Sequence, residues 1–213
     1  LVLQATQAGI HAYLTKPIDG RDLQRALIVA RARFEDMRTM QRLRQAAEQR
    51  AARLALAHDI VRYLAGMAGS AGESLPYVLQ QVTERIQTQF GYYEVIIALI
   101  EGEAIVITAA AGEQVPADKI GYRIPLYPSS PGLMAWVAQS GKTLLVPDVR
   151  KDPRFSPCPW DFSTLCELTV PLCVGERILG ILDIQSTQVD GLTQEDAEIM
   201  EILAGSLGAV IDN

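Results

Sequence analysis

The longest regular pattern of apolar and polar positions in the chain runs from Arg21 to Ala65. This stretch contains neither Gly nor Pro, and its apolar residues recur every three or four positions. The pattern predicts one continuous helix of roughly 65 Å, at 1.5 Å per residue. The apolar positions are Leu23, Leu27, Ala30, Phe34 and Met37, followed by Leu43, Ala47, Leu54, Ala57, Val61 and Leu64.

The second run of apolar positions, from Leu43 to Leu64, is close to a heptad repeat, with Arg50 in its one polar slot. It predicts a parallel dimeric coiled coil that links two domains. The change of spacing near Met40 resembles a stutter or stammer, which alters supercoil winding locally. A single helix that docks on its own domain is the alternative. In the dimer, the contact residues would be Leu43, Ala47, Leu54, Val61 and Leu64.

The rest of the chain alternates between helical and strand patterns. Residues 163–186 have a period of two on either side of Gly175-Glu176, which predicts a hairpin. Thr193, with Asp196 three residues later, predicts a capped final helix. The elements expected before the hairpin are a helix over 73–90, strands over 93–100 and 104–109, a loop over 112–118, a strand over 121–126, a helix from Ser129-Ser130-Pro131 to Ser140, a strand over 143–146 and a loop over 148–162.

Charge is distributed unevenly along the chain. The predicted helix holds ten arginines and five acidic residues, whereas the whole chain has a net charge of −6. A basic helix can bind nucleic acid or anionic lipid, but these arginines lie on several helix faces without interleaved aromatic residues. The pattern therefore favours a solvated helix, and neither nucleic acid nor a membrane is expected as a partner.

Cysteine content and hydropathy indicate the cellular setting. The three cysteines, Cys158, Cys166 and Cys173, are odd in number and lack CxxC spacing. This argues against a disulfide scaffold or a zinc site and fits a reducing cytoplasm. No apolar run approaches the roughly 20 residues of a membrane span, and the first residues do not resemble a signal peptide. A cytoplasmic location is expected.

Several separated motifs resemble a GAF domain. They include Val170-Pro171-Leu172 before the hairpin turn and Gly180-Ile181-Leu182-Asp183 after it. The segment from Gly132 to Gly141 and the segment from Pro147 to Phe155 match in the same order. The resemblance implies an α+β fold with a six-stranded antiparallel sheet. Its first and last helices would cover one face, and a cross-helix and the long loop would cover a pocket on the other.

The first residues resemble a different family. The string AGIHAYLTKPIDGRDLQRAL is similar to the last strand and helix of a response-regulator receiver domain. In that resemblance, Lys16 matches the lysine that pairs with the phosphorylated aspartate, and Pro17 matches the proline after it. The phosphoacceptor and the acidic metal-binding pair would lie upstream. The predicted domains are a receiver remnant over 1–20, a linker helix over 21–65 and a GAF domain over 66–213.

Most enzymatic and cofactor chemistries lack the residues that they need. His11 and His58 are the only histidines, and both lie outside the expected sheet, so a histidine-ligated haem or metal is not expected there. Neither a Gly-rich phosphate loop nor a nucleophile elbow occurs. The motifs of bilin-binding and cyclic-nucleotide-binding GAF domains are also missing. No cofactor is identifiable, and a binding module is favoured over an enzyme.

One catalytic alternative remains open. Free methionine-(R)-sulfoxide reductases are GAF-fold enzymes with a redox cysteine in the long loop, and Cys158 lies at the matching place. Glu167 and Leu182-Asp183-Ile184 resemble their substrate-holding segments. However, Leu133-Met134 stands where the partner cysteine is expected, and Pro157 and Pro159 flank Cys158. Thiolate chemistry needs a positive or donor-rich setting, which this loop does not supply locally.

The predicted ligand pocket lies between the cross-helix, the long loop and the hairpin. Glu167 is expected on an inner strand, where a buried carboxylate needs a partner such as a ligand, Arg123 or Arg150. Cys166 and Cys173 are expected to pack as small apolar groups. The residues expected to form this pocket are Trp136, Cys158, Trp160, Phe162, Glu167 and Asp183. The aromatic residues could equally form core without any ligand.

Together these patterns predict a regulatory module of a bacterial response-regulator-type protein. It would bind an unknown small molecule, form a homodimer through the linker helix, or do both, and so control an output domain. A purely structural dimerisation domain is the second alternative, beside the reductase.

Overall fold

The structure, a computed structural model, describes residues 20–68, 73–113, 115–116, 118–159 and 163–213. Lys16, Pro17, Trp160 and Phe162 therefore lie outside the described residues. The chain divides into two compact units, Leu1–Ala52 and Arg53–Asn213. The predicted boundary at residue 66 lies inside the first helix, α1, which spans Gly20–Ala68.

Helix α1 confirms the continuous helix that the sequence predicts. Its part before Arg53 is exposed at nearly every position, and Leu27 and Leu43 are 61% and 63% exposed. Ion pairs between Arg31 and Glu35 and between Arg44 and Glu48 connect successive turns. The helix does not stop at Gly66 but continues to Ala68. A single Gly in a helix costs about 1 kcal/mol relative to Ala, which does not by itself end a long helix.

The second unit contains a six-stranded sheet in which every neighbouring pair is antiparallel, in the order β3-β2-β1-β6-β5-β4. This confirms the predicted sheet. The strands are β1 (Glu94–Glu101), β2 (Ala104–Gly112), β3 (Arg123–Pro125), β4 (Leu144–Val146), β5 (Cys166–Val174) and β6 (Arg177–Ser186). The other helices are α2 (Leu75–Phe90), α3 (Leu133–Ser140) and α4 (Gln194–Ile211), and a short 3-10 helix covers Val149–Lys151.

Each face of the sheet has its own apolar core because side chains alternate along the strands. Val95, Leu168 and Leu182 point to the face that packs against α2 and α4. Ile96 and Ile181 point to the opposite face, which packs against α3. The helices therefore lie as predicted, with the first and last on one face and the cross-helix on the other.

The part of α1 after Arg53 belongs to the first of these cores. Ala57, Ile60 and Leu64 are buried there, and Val61 packs partly against it. Leu64 is only 1% exposed, so it packs against its own domain instead of a second chain. This matches the docked-helix alternative for that part of the helix. Leu43, Ala47 and Leu54 are exposed.

Local signals account for how α3 and α4 begin. Thr193 and Asp196 form the predicted capping box at the start of α4. Helix α3 begins later than predicted, because Pro131 precedes the helix and Gly132 is its N-cap. Gly132 has a φ of 103°, a conformation that favours glycine. Its backbone N–H donates to the Arg154 carbonyl at 3.0 Å, which fixes the long loop against the helix start.

Candidate functional site

A cavity of about 180 Å³ lies on the sheet face that α3 covers. Tyr122 and Ile124 line it from the region of β3, and Leu133 and Met134 line it from the start of α3. The remaining wall is the loop segment from Phe155 to Cys158. A dry cavity of about 150 Å³ is large enough for benzene. The space can therefore hold a small organic molecule.

Among the described residues that line the cavity, Glu167 is the acidic one. It lies on β5 and is 4% exposed, and its Oε1 is 3.4 Å from the Thr169 hydroxyl. The arginines named as its candidate partners bond other acids: Arg123 donates to Glu101 at 3.0 Å and Arg150 to Asp148 at 2.8 Å. A carboxylate buried beside a cavity of this size is the strongest chemical feature of the site.

A network of polar side chains continues from Glu167 across the strands. The Thr169 hydroxyl donates to Asp183 Oδ1 at 2.6 Å, and the Gln185 amide donates to Asp183 Oδ2 at 3.1 Å. Thr164 donates to the Gln185 side-chain oxygen at 2.6 Å. These contacts follow from strand register, because Thr169 is opposite Asp183 and Glu167 is opposite Gln185. The network anchors the floor of the site.

A buried ion pair lies at the other end of this network. Lys119 Nζ is 2.6 Å from Glu94 Oε2, and both side chains are almost fully buried. Glu94 is opposite Gln185 on β6, so the pair adjoins the polar network. Charge pairing of this kind reduces the large cost of burying each ion alone. Sequence spacing gives no signal for it, because Lys119 approaches from a loop.

The structure brings some predicted pocket residues together and separates others. Cys158 and Glu167 both line the cavity. Asp183 is fully buried within the polar network behind it. Trp136 packs partly against the α3-side core, and the Arg154 guanidinium lies 4.7 Å from its ring centroid. The two other predicted aromatics are among the residues that the structure does not describe.

The other two cysteines lie in surroundings where burial has the largest effect on the thiol. Cys166 is fully buried in the core against α2 and α4, and burial raises the pKa of its thiol. Burial also raises the pKa of Cys173, which is partly buried. A register shift between Leu172 and Cys173 interrupts strand alternation, so their sequence spacing does not determine their faces. Neutral thiols at these positions fit a packing role.

A second polar cluster, which no sequence pattern predicts, joins α1 to α4. Asp196 accepts hydrogen bonds from Arg53 and from the Tyr92 hydroxyl, the latter at 2.6 Å. Arg53 also donates to Tyr92 and lies over the Phe90 ring. Burial alone would raise the pKa of Asp196, but hydrogen bonds from Thr193, Tyr92 and Arg53 lower it. Burial and Asp196 raise the pKa of Tyr92, which keeps its hydroxyl a donor.

Among the residues that the structure describes, no helix combines the length and apolar character of a membrane span. The described His, Cys, Asp and Glu side chains form no group of three or more that could hold a metal ion.

Comparison with known proteins agrees with this architecture. A family model described as "GAF domain" matches residues 72–212. A GAF domain from an Acinetobacter phosphoenolpyruvate-protein phosphotransferase superposes with a TM-score of 0.64 at 20% identity, covering 75% of this chain and 92% of that one. A free methionine-R-sulfoxide reductase from Neisseria meningitidis, in complex with its substrate, gives 0.62 at 21% identity, covering 75% and 90%. Sequence identities this low show only that the proteins share a fold. A comparison with curated proteins gives no match.

Proposed function

Because the chain belongs to the GAF domain family, a sensory and regulatory fold, we propose that it is the sensor module of a signalling protein. The observation that carries the proposal is the cavity between α3, the loop from Phe155 to Cys158 and β5. A purely structural domain would fill this space with side chains. The proposed module binds a small molecule there and passes the binding signal to its helices. The proposed setting is the cytoplasm of a bacterium, in a response-regulator-type protein.

The proposed route of the signal runs through the sheet. Ligand contacts at Glu167 would act on β5, whose opposite side packs in the core with α2, α4 and the second part of α1. A change in strand position would alter how α1 and α4 pack on that face. The proposed signal would pass from these helices to an output domain. A ligand can bias a two-state element of this kind only through different affinities for the two states.

The proposed homodimer uses the exposed part of α1. Leu23, Leu27 and Phe34 are 45%, 61% and 54% exposed, and they repeat at the spacing of a coiled-coil seam. Contiguous exposed apolar positions of this kind mark an interaction surface more often than isolated ones do. A second copy supplies a matching stripe in a parallel dimer.

A neutral probe tests whether the cavity binds ligands. Benzyl alcohol fits the cavity in size, and binding to the folded state should raise the melting temperature as its concentration increases. Alkylating Cys158 with N-ethylmaleimide should abolish the shift, because the adduct occupies the cavity. The Cys158→Ser variant, treated with the same reagent, should keep the shift and so controls for modification elsewhere. A melting temperature that does not respond would favour the structural dimerisation domain.

A second candidate function rests on Cys158. Its position in the cavity wall, together with the fold likeness to sulfoxide reductases, supports a reductase that uses this thiol. In such a reaction the Cys158 thiolate attacks the sulfoxide sulfur, the oxygen passes to the cysteine sulfur, and methionine leaves with a sulfenic acid on Cys158 after uptake of one proton. One thiol of an added dithiol then displaces this oxygen as water, and the second thiol releases Cys158 and closes a disulfide within the reagent. The test is turnover of free methionine-(R)-sulfoxide with dithiothreitol. Activity that disappears in Cys158→Ser would establish the enzyme, and inactivity of the unaltered protein would exclude it.

A further inference from the structure

We infer that a second site in the unit Arg53–Asn213, separate from the cavity, binds a neutral polyhydroxylated molecule of the size of a mono- or disaccharide. This site, the polar groove, lies between the last turn of α2, the turn at residues 91–93, the end of β2 and the loop after β6. No described residue lines both the polar groove and the cavity. The inference therefore goes beyond the proposed function and does not depend on it.

Hydrogen bonds hold the walls of the polar groove in place. Gly91 ends α2 with a φ of 71° and donates its N–H to the Gln87 carbonyl at 2.9 Å. The Gln87 side-chain amide donates to the Tyr92 carbonyl, also at 2.9 Å. In the loop after β6, the Gly191 N–H donates to the Gln188 carbonyl at 3.1 Å. A ligand would meet surfaces that are already ordered, which lowers the entropy cost of binding.

Uncharged donors and acceptors in the polar groove keep unused hydrogen-bonding capacity. The side chains of Thr187 and Gln188 are exposed and bond no described residue. The Ser186 hydroxyl oxygen accepts from the Gln188 N–H at 3.2 Å, and the hydroxyl can still donate its own proton. The hydroxyl groups of a polyol are both donors and acceptors, so they can satisfy a mixed set of this kind.

The charge of the polar groove favours a neutral ligand. Among its described residues Glu113 is the charged one, and it is exposed. A solvated carboxylate strengthens the binding of a cation by a factor of about five at most. It repels an anion, and the nearby C-terminus of α2 adds partial negative charge. Neither an anion nor a cation therefore finds a strong counter-charge among the described residues.

Size and an aromatic ring specify the shape of the ligand. The polar groove has a volume of about 520 Å³, within the roughly 300–1,000 Å³ that is usual for small-molecule sites. Tyr93 lines it and is half-buried, so its ring can pack against the C–H face of a sugar ring. Tyr92 contributes less, because it is buried and its hydroxyl already donates to Asp196. A pyranose with free hydroxyls matches this lining better than an apolar ring does.

Six-membered-ring probes test the inference by ligand-observed NMR titration. Methyl α-D-glucopyranoside should bind with a Kd of roughly 1 mM, because neutral hydrogen bonds that replace water contribute modestly. Cyclohexanol, which has one hydroxyl, should bind at least about tenfold more weakly. Glucuronate should also bind more weakly, and glucosamine should gain no more than about fivefold. Tighter binding of cyclohexanol or glucuronate, or a larger gain for glucosamine, would overturn the inference.

The Thr187→Ala/Gln188→Ala variant should bind the glucoside at least about tenfold more weakly, because two polar side chains of the site are lost. These side chains bond no described residue, so their removal should leave the fold unchanged. Thr39→Ala/Gln41→Ala, at exposed positions of α1, is the matched control and should keep the affinity. An affinity that Thr187→Ala/Gln188→Ala leaves unchanged would contradict the assigned site.

Backbone amide NMR signals locate the site in the unaltered protein. The glucoside should shift the signals of Tyr93 and Gln188 and not those of Leu133 and Met134 at the cavity, and benzyl alcohol should not compete with it. Shifts at the cavity, competition, or no binding of the glucoside would overturn the inference and leave the proposed ligand-binding function in place. A protein that binds the glucoside in the polar groove but no benzyl alcohol would support the inference and contradict the proposed function.

Discussion

At the scale of single residues, Asp196 joins three parts of the unit Arg53–Asn213 through one carboxylate. It caps α4 through Thr193, accepts from Tyr92 just before β1, and pairs with Arg53 of α1. Asp196 is only 3% exposed, so its carboxylate is shielded from competing water. Hydrogen bonds to a charged group are worth about 1.5–3 kcal/mol, which is a large share of the stability of a small domain.

Asp196→Asn should destabilise the protein by about 2 kcal/mol near neutral pH, because the amide keeps the size of the side chain but loses its charge. The pKa of Asp196 is lowered in the folded state, so its contribution is present above about pH 4 and is lost as the pH falls through the folded value. Urea unfolding of both proteins should therefore show a difference that shrinks at acid pH. Asp36→Asn, at an exposed carboxylate, should cause almost no change at either pH. A difference that stays constant with pH would contradict the role of the charge.

The buried pair of Lys119 and Glu94 permits a second residue-scale prediction. Lys119→Met leaves a carboxylate buried without its ammonium and should cost about 3–5 kcal/mol in urea unfolding. The double variant Glu94→Gln/Lys119→Met should be more stable than Lys119→Met alone, because the uncompensated charge is gone. Strictly additive losses in this double-mutant cycle would mean that the two groups do not interact energetically.

At the scale of elements, α4 shows how closely a helix approaches the sheet. A Cβ added at Gly208 would lie 2.6 Å from the Cys173 carbonyl oxygen, whereas one added at Gly205 would meet no atom within 4 Å. Gly208 is buried and Gly205 is exposed. The same residue type therefore has two roles in one helix, since only Gly208 is needed for packing against β5.

Alanine substitutions at these two glycines should have opposite effects. Gly205→Ala should stabilise the protein by up to about 1 kcal/mol, because Ala favours the helix and nothing obstructs its methyl group. Gly208→Ala should destabilise it, because the methyl group would displace α4 from the strand and overpacking typically costs about 1–3 kcal/mol. Thermal unfolding of the two variants tests the pair directly. A loss of stability in both would show that α4 tolerates no substitution on either side.

Helices and strands could be predicted from sequence where local signals agree. They could not be predicted where a tertiary contact determines how the element packs. The alternation of apolar and polar residues around Gly175-Glu176 was sufficient to predict the hairpin. Thr193 with Asp196 was sufficient to predict the start of α4. The spacing of Ala57, Val61 and Leu64 fits a coiled-coil seam and a docked helix equally well, and the structure buries Leu64 in its own core. Periodicity identifies an apolar stripe without identifying what covers it.

The residues of the candidate site could likewise be predicted from sequence only in part. Glu167 could be found because a strand places it among apolar neighbours, and Cys158 because the motif before it places the loop. Asp183 is on the correct face, but Thr169 and Gln185 engage it behind the cavity. The pairing of Arg53 with Asp196 spans 143 residues, and no local pattern encodes a contact at that separation. Contacts of this kind depend on how the elements pack.

At the scale of the whole molecule, the two units differ in how they bury apolar surface. The unit from Arg53 onward has a core on each sheet face. The described part of the first unit is α1 as far as Ala52, where large apolar side chains remain exposed. A helix is rarely stable in water without packing on one face, so this segment gains most from association. The proposed dimer would supply that packing and leave the unit from Arg53 onward intact.

Charged residues on the exposed stripe should therefore separate the proposed dimer without unfolding the unit from Arg53 onward. The double variant Leu27→Glu/Phe34→Glu places two like charges in each copy at the apolar stripe proposed for the dimer, where desolvation and repulsion oppose pairing. The matched control is Ile28→Glu/Ala32→Glu, which adds the same charge at exposed positions on the opposite side of the same part of the helix. Light scattering should give a dimer for the unaltered protein and the control, and a monomer for the Leu27/Phe34 variant.

Sites after Arg53 are unsuitable for this test, because Val61 contacts the core of its own unit and a charge there would destabilise the fold. An unaltered protein that is monomeric at every concentration, or a variant that remains dimeric, would refute the α1 interface.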